Sequence, residues 1–219
     1  MKSEVYNIDC MEYMKDVSEK YFDLAIVDPP YWIGFDGKNL VKNNSDRFQD
    51  KAKRSHEWDN AVPDVIYFNE LFRVSKEQII WGGNYFLDIL GYCKAPIIWN
   101  KKNGDSMYAD GEMAWTSRGL PRNLRIWSHQ WCGAFKDSER GENYFHPTTK
   151  PIMLYKWLLK NYAKPGDKIF DSHGGSMSSV IACLDGGFDI VCCELDKEYF
   201  DAAVKRVEIY KMQQKLVFT

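Results

Sequence analysis

The chain has 219 residues, of which 45% are hydrophobic and 15% aromatic, enough to bury one substantial core, and we expect a single domain over residues 1–219. Its net charge of -2 argues against a protein that coats nucleic acid regardless of sequence, so any affinity for phosphate has to come from local patches. No stretch approaches the roughly 18 apolar residues of a membrane helix, and the N-terminal segment lacks the apolar core of a signal peptide, which predicts a cytoplasmic protein. The six cysteines show no CxxC pairing, so we expect buried thiols and no metal site.

Short apolar runs alternate with helical periodicity along the chain, which predicts an α/β sheet. One helix is predicted over "VPDVIYFNELFRVS" and another over "PIMLYKWLLKNYAK", where Pro151 is well placed to open the helix. In chain order, the strand candidates are "FDLAIVD", "EQIIWGG", "APIIWN", "EMAWTS", "LRIWS", "DKIFD" and "FDIVCCE".

The first of these strands ends in Asp28-Pro29-Pro30-Tyr31. Proline restrains itself and the residue before it, so this segment predicts a stiff ledge with carbonyl acceptors and no amide donors at the prolines. Such a ledge suits an amino group, because Asp28 can accept one N–H, a proline carbonyl can accept the other, and Tyr31 offers a flat face to a flipped base. The alternative for "PP" alone is a turn that only closes the strand.

Two basic segments are candidates for contacts with phosphate. Residues 33–58 predict a long mobile loop beside the ledge, and "RGLPRNLR" places three arginines around a Gly and a Pro. An ordinary solvated surface is the alternative for both. The candidate DNA-contacting residues are Lys38, Lys42, Arg47, Lys51, Lys53, Arg54, Arg118, Arg122 and Arg125.

The segment "GDKIFDSHGGSMSSVIACLDGGFDIVCCELD" predicts a βαβ unit. A strand ending at Asp171 leads into a small-residue turn, then a helix from about Met177, then a strand ending in Glu194, an acid suited to both hydroxyls of a ribose. The turn lacks the GxGxxG spacing of dinucleotide sites, and the chain has no GxxxxGK[ST] loop, so a nucleoside without phosphates, such as S-adenosylmethionine, fits better. A turn that merely joins strand to helix is the alternative. Because ligands lie off the carboxyl ends of strands, Asp28 and Asp171 are expected to face one crevice.

Together these segments resemble the amino-methylating (N6-adenine/N4-cytosine) DNA methyltransferases, in the arrangement where the catalytic motif precedes the cofactor motif. "VYNIDCMEYMK" is similar to the opening segment of that family, "DPPY" to its catalytic motif, "HPTTKPIMLYKWLLKNYAKPGDKIFD" to the segment that feeds the cofactor strand, and "CELD" to the ribose-binding end. The resemblance implies a Rossmann-like, S-adenosylmethionine-dependent methyltransferase fold, with a mixed, mostly parallel seven-stranded sheet and helices on both faces. It implies catalytic roles for Asp28, Pro29, Pro30 and Tyr31, and cofactor contacts at Asp9, Cys10, His146, Thr148, Lys150, Asp171, Ser172, Gly174, Gly175, Ser176, Ser178 and Glu194.

The implied activity is site-specific methylation of the N6 amine of a flipped-out adenine in double-stranded DNA. Cytosine N4 is one alternative, RNA bases or glutamine side chains are others, and a DNA-binding homologue with impaired cofactor binding is the non-enzymatic one. The chain departs from the family twice: Met177 stands where the turn usually ends in glycine, and residues 117–145 form only a reduced target-recognition segment. Base reading would then be shared with the 33–58 loop or a second subunit. A DNA site has two strands and members of this family often pair, which favours a homodimer. The sequence identifies no restriction partner.

Overall fold

The computed structural model describes residues 2–31, 63–104, 109–121, 123–132, 135–139, 145–146 and 148–217. The loop predicted over 33–58 therefore lies outside the described residues. Among the helices that are described, none is long and apolar enough to cross a membrane. In chain order the elements are β1 (Ser3–Tyr6), α1 (Cys10–Lys15), β2 (Phe22–Val27), α2 (Val65–Val74), β3 (Ser75–Trp81), a 3-10 turn (Gly83–Tyr85), α3 (Leu87–Leu90), β4 (Ile97–Asn100), β5 (Gly111–Thr116), β6 (Arg125–Ser128), β7 (Trp131–Cys132), β8 (Phe135–Lys136), α4 (Ile152–Tyr162), β9 (Lys168–Asp171), α5 (Ser178–Gly186), β10 (Asp189–Cys193) and α6 (Lys197–Val217).

The described strands form one large sheet in the order β1-β10-β9-β2-β3-β5-β4-β6, with β7 and β8 as a separate antiparallel pair. Neighbours in the large sheet are parallel except at β5, which is antiparallel to both β3 and β4. The predicted mixed, mostly parallel α/β sheet is confirmed, but it has eight strands rather than seven. The additional strand is β1, whose four residues "SEVY" are only partly buried, so the search for apolar runs missed it.

The sheet is covered by helices on both faces, as predicted. Successive residues of a strand point to opposite faces, and β3 shows this clearly. Ile79 and Trp81 belong to a core that includes residues of α4, α5 and α6, whereas Ile80 belongs to a second core with residues of α1 and α2. Helices therefore cover both faces of the sheet, and the ends of the strands remain available to form a site.

The two helices predicted from periodicity are confirmed, and side chains fix where they begin. The carboxylate of Asp64 accepts hydrogen bonds from the backbone N–H groups of Ile66 (2.9 Å) and Tyr67 (3.2 Å) at the start of α2. Pro151 is the N-cap residue of α4, and Ile152 N donates to Glu139 Oε1 at 2.7 Å. These contacts set the positions of the two segments that flank the cavity described next.

Candidate active site

A cavity of about 1160 Å³ opens where the parallel strands end. Asp28 follows β2, the small-residue turn follows β9, and Glu194 follows β10. Because these three strands are neighbours in the sheet, the residues that follow them lie at the same edge of the sheet. Among the residues predicted to bind cofactor, those that line this cavity are Asp9, Cys10, His146, Thr148, Lys150, Ser172, Gly174, Gly175, Ser176 and Glu194.

Asp171 and Ser178 are not among the lining residues. Asp171 is buried and braces the turn, because its Oδ2 accepts from Ser179 Oγ at 2.5 Å and its Oδ1 from His173 N at 3.1 Å. Burial raises the pKa of this carboxyl group to about 7. Ser178 Oγ lies 3.0 Å from Nη1 of Arg206 on α6. Both side chains shape the wall of the cavity from behind.

In the turn after β9, Met177 adopts the left-handed backbone conformation, which residues other than glycine rarely adopt. Met177 precedes α5 with φ 55° and ψ 33°, in the left-handed region, and its N–H donates to the carbonyl of Gly174 at 2.7 Å. The Met177 side chain is fully buried in the core that packs against α4 to α6. Gly174 is required for a different reason, since a β-carbon there would lie 2.5 Å from Cys192 Sγ.

The Glu194 carboxylate is already held in place by the backbone. Its Oε2 accepts from Gly175 N at 2.7 Å and its Oε1 from Asp196 N at 2.8 Å. Burial raises its pKa, while these two N–H groups act in the opposite direction. The side chain of Asn7 donates to the carbonyl of Glu194 at 2.9 Å, which ties the end of β1 to the end of β10.

Sequence reasoning missed a buried polar chain on the far wall of the cavity. Tyr67 Oη lies 2.7 Å from Ser172 Oγ, which in turn lies 2.8 Å from Nδ1 of His173. Burial lowers the pKa of His173 to about 4, so its ring is neutral at pH 7. Tyr67 sits on the amphipathic face of α2, where an aromatic side chain gives no sign of anything but core packing.

The N-terminal part of the wall comes from the start of α1. Asp9 is its N-cap residue, and its Oδ1 accepts from Met11 N at 2.7 Å. The neighbouring thiol of Cys10 is buried, and burial raises its pKa to about 12, so it stays protonated. Both residues line the cavity.

The segment before α4 packs over the small-residue turn. Thr149 Oγ1 donates to the carbonyl of His146 at 2.8 Å, and Trp131 Nε1 donates to the carbonyl of Thr149 at 2.9 Å. A β-carbon at Gly175, where φ is +49°, would lie 3.3 Å from Cε1 of His146. Burial lowers the pKa of His146 to about 4, so this imidazole is also neutral near pH 7.

Asp28 is held through one of its two oxygens. Lys150 Nζ donates to Asp28 Oδ2 and also lies 3.2 Å from Oε2 of Glu112. Asp28 Oδ1 is buried, and within the described part of the chain it accepts no hydrogen bond. Burial raises the pKa of Asp28 although Lys150 opposes the shift. The ledge thus presents a carboxylate with one engaged and one available oxygen.

The rest of the "DPPY" ledge is divided between cavity and core. Pro30 lines the cavity with Asp28, whereas Pro29 and Tyr31 are not among its lining residues. The Tyr31 ring stacks on Tyr85, with ring centroids 4.7 Å apart and an interplanar angle of 11°. Tyr85 itself is 55% exposed, so this pair of rings reaches the surface.

The predicted DNA contacts are mostly beyond what the structure describes. Arg118 and Arg125 are exposed, and Arg125 begins the edge strand β6. The predicted contacts that lie outside the described residues are Arg122 and the loop residues Lys38, Lys42, Arg47, Lys51, Lys53 and Arg54.

The sheet, its two helix layers and the position of the cavity define an α/β fold of the S-adenosylmethionine-dependent methyltransferase class. The M1.HpyAVI–SAM complex superposes with a TM-score of 0.60 at 20% identity, covering 93% of this chain and 99% of that one. The cytosine-N4-specific PvuII DNA methyltransferase superposes with a TM-score of 0.61 at 13% identity, covering 96% and 92%.

The chain belongs to the DNA methylase family of the N6/N4 type, whose model matches residues 97–205. The type II methyltransferase M.HinfI of Haemophilus influenzae is 26% identical over 93% of this chain and 67% of its own. The DNA adenine methyltransferase YhdJ of Escherichia coli (strain K12) is 23% identical over 92% of this chain and 81% of its own. The protein is thus a DNA methyltransferase of this family.

Proposed function

We propose that this protein transfers a methyl group from S-adenosylmethionine to the N6 amine of an adenine flipped out of double-stranded DNA. The observation that carries the proposal is the Asp28 carboxylate, which has one oxygen on Lys150 and one buried oxygen with no partner in the described residues. A buried acceptor without a donor is costly, and the N–H of an incoming amine would satisfy it. The same cavity has Glu194 among its lining residues.

The residues that line the cavity fit S-adenosylmethionine. Glu194 offers a fixed carboxylate to the two ribose hydroxyls, and the turn at Gly174 and Gly175 brings backbone close to a ligand. By resemblance to the family, His146, Thr148 and Lys150 would face the methionine end, and Gly175 and Ser176 the central part, with Ser178 supporting the wall from behind. When bound, the cofactor supplies an electrophilic methyl group on a sulfonium.

The chain's own part in the reaction is to orient the amine and take up charge. An exocyclic amine is a poor nucleophile because its lone pair is delocalised into the ring. If Asp28 Oδ1 accepts one N–H and a carbonyl of Pro29 or Pro30 accepts the other, the nitrogen pyramidalises and its lone pair points toward the methyl group. The nitrogen then gains one carbon and loses one proton, and Oδ1 is placed to receive that proton, since burial raises the pKa of Asp28.

Adenine is favoured over cytosine because the motif opens with Asp in "DPPY", whereas cytosine-directed members usually open it with Ser. One relative carries the name DNA adenine methyltransferase, and one solved structure with the same fold is specific for cytosine N4. We also propose that two copies act together, because residues 117–145 are a short segment in which to read bases.

The test is to incubate the protein with double-stranded DNA and isotope-labelled S-adenosylmethionine and to analyse the digested nucleosides by mass spectrometry. Labelled N6-methyladenine supports the proposal, and labelled N4-methylcytosine overturns the choice of base. RNA and a protein substrate compete in parallel, and label in either one overturns DNA as the substrate. Asp28→Ala serves as the paired variant: calorimetry should show cofactor binding close to that of the wild type, with no methyl transfer at any cofactor concentration.

A further inference from the structure

Four charged side chains alternate in sign along one edge of the sheet. Lys101 forms a close ion pair with Oε1 of Glu112, and Lys150 lies between Oε2 of Glu112 (3.2 Å) and Oδ2 of Asp28. The series runs positive, negative, positive, negative, so its formal charge is zero. We refer to Lys101, Glu112, Lys150 and Asp28 as the charge chain.

The antiparallel strand explains how Glu112 reaches this edge. Parallel strands β2, β3 and β4 end near the cavity, whereas β5 runs the opposite way and therefore begins there. Glu112 is the second residue of β5 and pairs with Trp99 of β4, and Lys101 follows the end of β4. A residue of β5 thus joins the site although no motif of the sequence marks it.

The charge chain is largely withdrawn from water. Side-chain exposure is 4% for Lys150, 16% for Asp28, 18% for Lys101 and 20% for Glu112. Each cation lies over a buried indole ring. Lys150 Nζ is 5.7 Å from the ring centre of Trp81, and Lys101 Nζ is 4.9 Å from that of Trp99. Charges this buried need opposite charges beside them, and removing one member leaves its neighbour uncompensated.

We propose that Glu112 is a positioning residue for methyl transfer, holding Lys150 on Oδ2 of Asp28 so that Oδ1 stays available to the target amine. The proposal rests on the proposed function of Asp28. The contact of Lys150 Nζ with Glu112 Oε2 is an ion pair at 3.2 Å without a hydrogen bond in the described residues, so Glu112 acts on the ammonium group by its charge and draws it toward the Oδ2 side of Asp28. Without Glu112, Lys150 is free to centre on both oxygens of Asp28 and to compete with the amine.

The charges around Asp28 also predict the direction in which its pKa changes when Glu112 is neutralised. Glu112 acts to raise the pKa of Asp28, whereas Lys150 and Lys101 act to lower it, all within the larger increase that burial causes. Neutralising Glu112 alone leaves two cations facing one anion. Neutralising Lys101 as well leaves one cation and one anion, which restores the balance around Asp28.

The experiment compares Glu112→Gln with the double variant Lys101→Met/Glu112→Gln. The carboxyl ¹³C signal of Asp28, assigned by its loss in Asp28→Asn, is titrated in each protein. In Glu112→Gln the Asp28 signal should titrate lower by about one pH unit. Single-turnover methylation should fall about 10- to 100-fold, while cofactor affinity by calorimetry stays within about twofold of the wild type. Both quantities should move back toward the wild type in the double variant.

A structural role for Glu112 would produce no such recovery, so a double variant no better than the single one overturns the proposal. An unchanged Asp28 titration in Glu112→Gln also overturns it. Glu70→Gln is the matched control, because it neutralises a glutamate of a partly buried ion pair with Arg73 outside the cavity. If Glu112→Gln does not fold, the double variant Lys101→Met/Glu112→Gln is compared with Lys101→Met: an Asp28 signal that titrates lower in the double variant supports the role of the Glu112 charge, and equal titrations contradict it.

The two proposals fail in different ways. A wild-type protein that does not methylate DNA removes the proposed function, while the Asp28 titrations still test whether Glu112 governs that carboxylate. A wild-type protein that methylates DNA and a Glu112→Gln protein of equal rate leave the function standing and remove only the role of Glu112.

Discussion

The Tyr31 ring lies directly against the backbone of Gly82, so that a β-carbon at Gly82 would stand 2.4 Å from Cδ1 of Tyr31. Gly82 also has φ +67°, in the left-handed region. It follows β3 and leads into the turn that carries Tyr85, the other ring of the stacked pair. The last residue of the "DPPY" ledge is therefore positioned by a glycine that directly follows the neighbouring strand.

Replacing Gly82 with Ala should displace the Tyr31 ring and slow methyl transfer. The left-handed backbone alone costs about 1–2 kcal/mol for an alanine, and the clash adds about 1–3 kcal/mol. Gly187→Ala is the control, because Gly187 has a similar conformation (φ 73°, ψ 28°) with open space around it. Urea unfolding and single-turnover rates measure both variants, and equal losses in the two would mean that the Tyr31 contact has no effect.

Met177→Gly separates backbone strain from core packing. Glycine removes the strain of a left-handed methionine, worth about 1–2 kcal/mol, but it also empties a fully buried site, which costs about 2–5 kcal/mol. We expect a net loss of stability together with cofactor affinity that is unchanged or tighter, since Met177 does not line the cavity. Met177→Leu keeps the strain and most of the volume and should lose less. A clear loss of cofactor affinity in the glycine variant contradicts the prediction.

Glu194→Ala should weaken cofactor binding by roughly 1.5–3 kcal/mol, because it removes charged acceptors for two hydroxyl groups. Methyl transfer should be partly recovered at high cofactor concentration, in contrast to Asp28→Ala. Glu208→Ala, at an exposed position on α6, controls for the loss of one negative charge. Calorimetry gives the affinities, and a Glu194→Ala protein that binds as tightly as the control would remove Glu194 from the cofactor site.

The two neutral histidines of the cavity predict how stability depends on pH. His146 and His173 titrate near 4 when folded, against an ordinary value of 6.5, so between these values the unfolded chain binds more protons. Their contribution is complete above pH 6.5 and is lost as the pH falls toward 4, by up to roughly 3 kcal/mol for each ring. Asp171 acts with the opposite sign between its ordinary 3.8 and about 7.

The difference between wild type and His173→Asn isolates one of these groups. The loss of unfolding free energy between pH 6.5 and 4 should be smaller in the variant, because Asn does not titrate. Urea unfolding at a series of pH values measures it, and identical pH profiles for the two proteins would rule out a buried neutral His173.

Replacing Lys51, Lys53 and Arg54 with Ala should weaken DNA binding at every sequence and flatten its dependence on salt, because contacts to phosphate release counterions. Lys76, Lys160 and Lys164 are exposed and give a control triple variant with the same loss of charge. Binding measured across a salt series decides the matter, and a salt slope equal to that of the wild type would contradict the prediction.

Local pattern was enough to predict most of the fold. The apolar runs ending at Asp28, Asp171 and Glu194 predicted three strands at their correct places. The parallel-sheet rule predicted that Asp28 and Asp171 would face one crevice, which is right for Asp28 and wrong for Asp171, whose carboxylate is buried behind the turn. Strand β1 was missed because two of its four residues are polar and it depends on pairing with β10 for its order.

What the sequence could not reveal are contacts between segments far apart in the chain. Lys150 meets Asp28 across 122 residues, and it was predicted only to line the cofactor site. Glu112 reaches Lys150 because β5 reverses direction, and nothing in "GEMAWT" announces that reversal. Asp171 was predicted to contact the cofactor, but its side chain points away from the cavity. Its buried carboxylate accepts a hydrogen bond from Ser179 Oγ inside the protein.

The pairing of β1 with β10 also sets the order in which the site can be completed during synthesis. Domains form as the ribosome releases them, at about 5–20 residues per second. Among the described strands β1 pairs only with β10, so Ser3–Tyr6 must wait for Asp189–Cys193 to emerge. Asp9, just beyond β1, waits with it. A nascent chain therefore carries its "DPPY" ledge before the strands that complete the cofactor cavity have emerged.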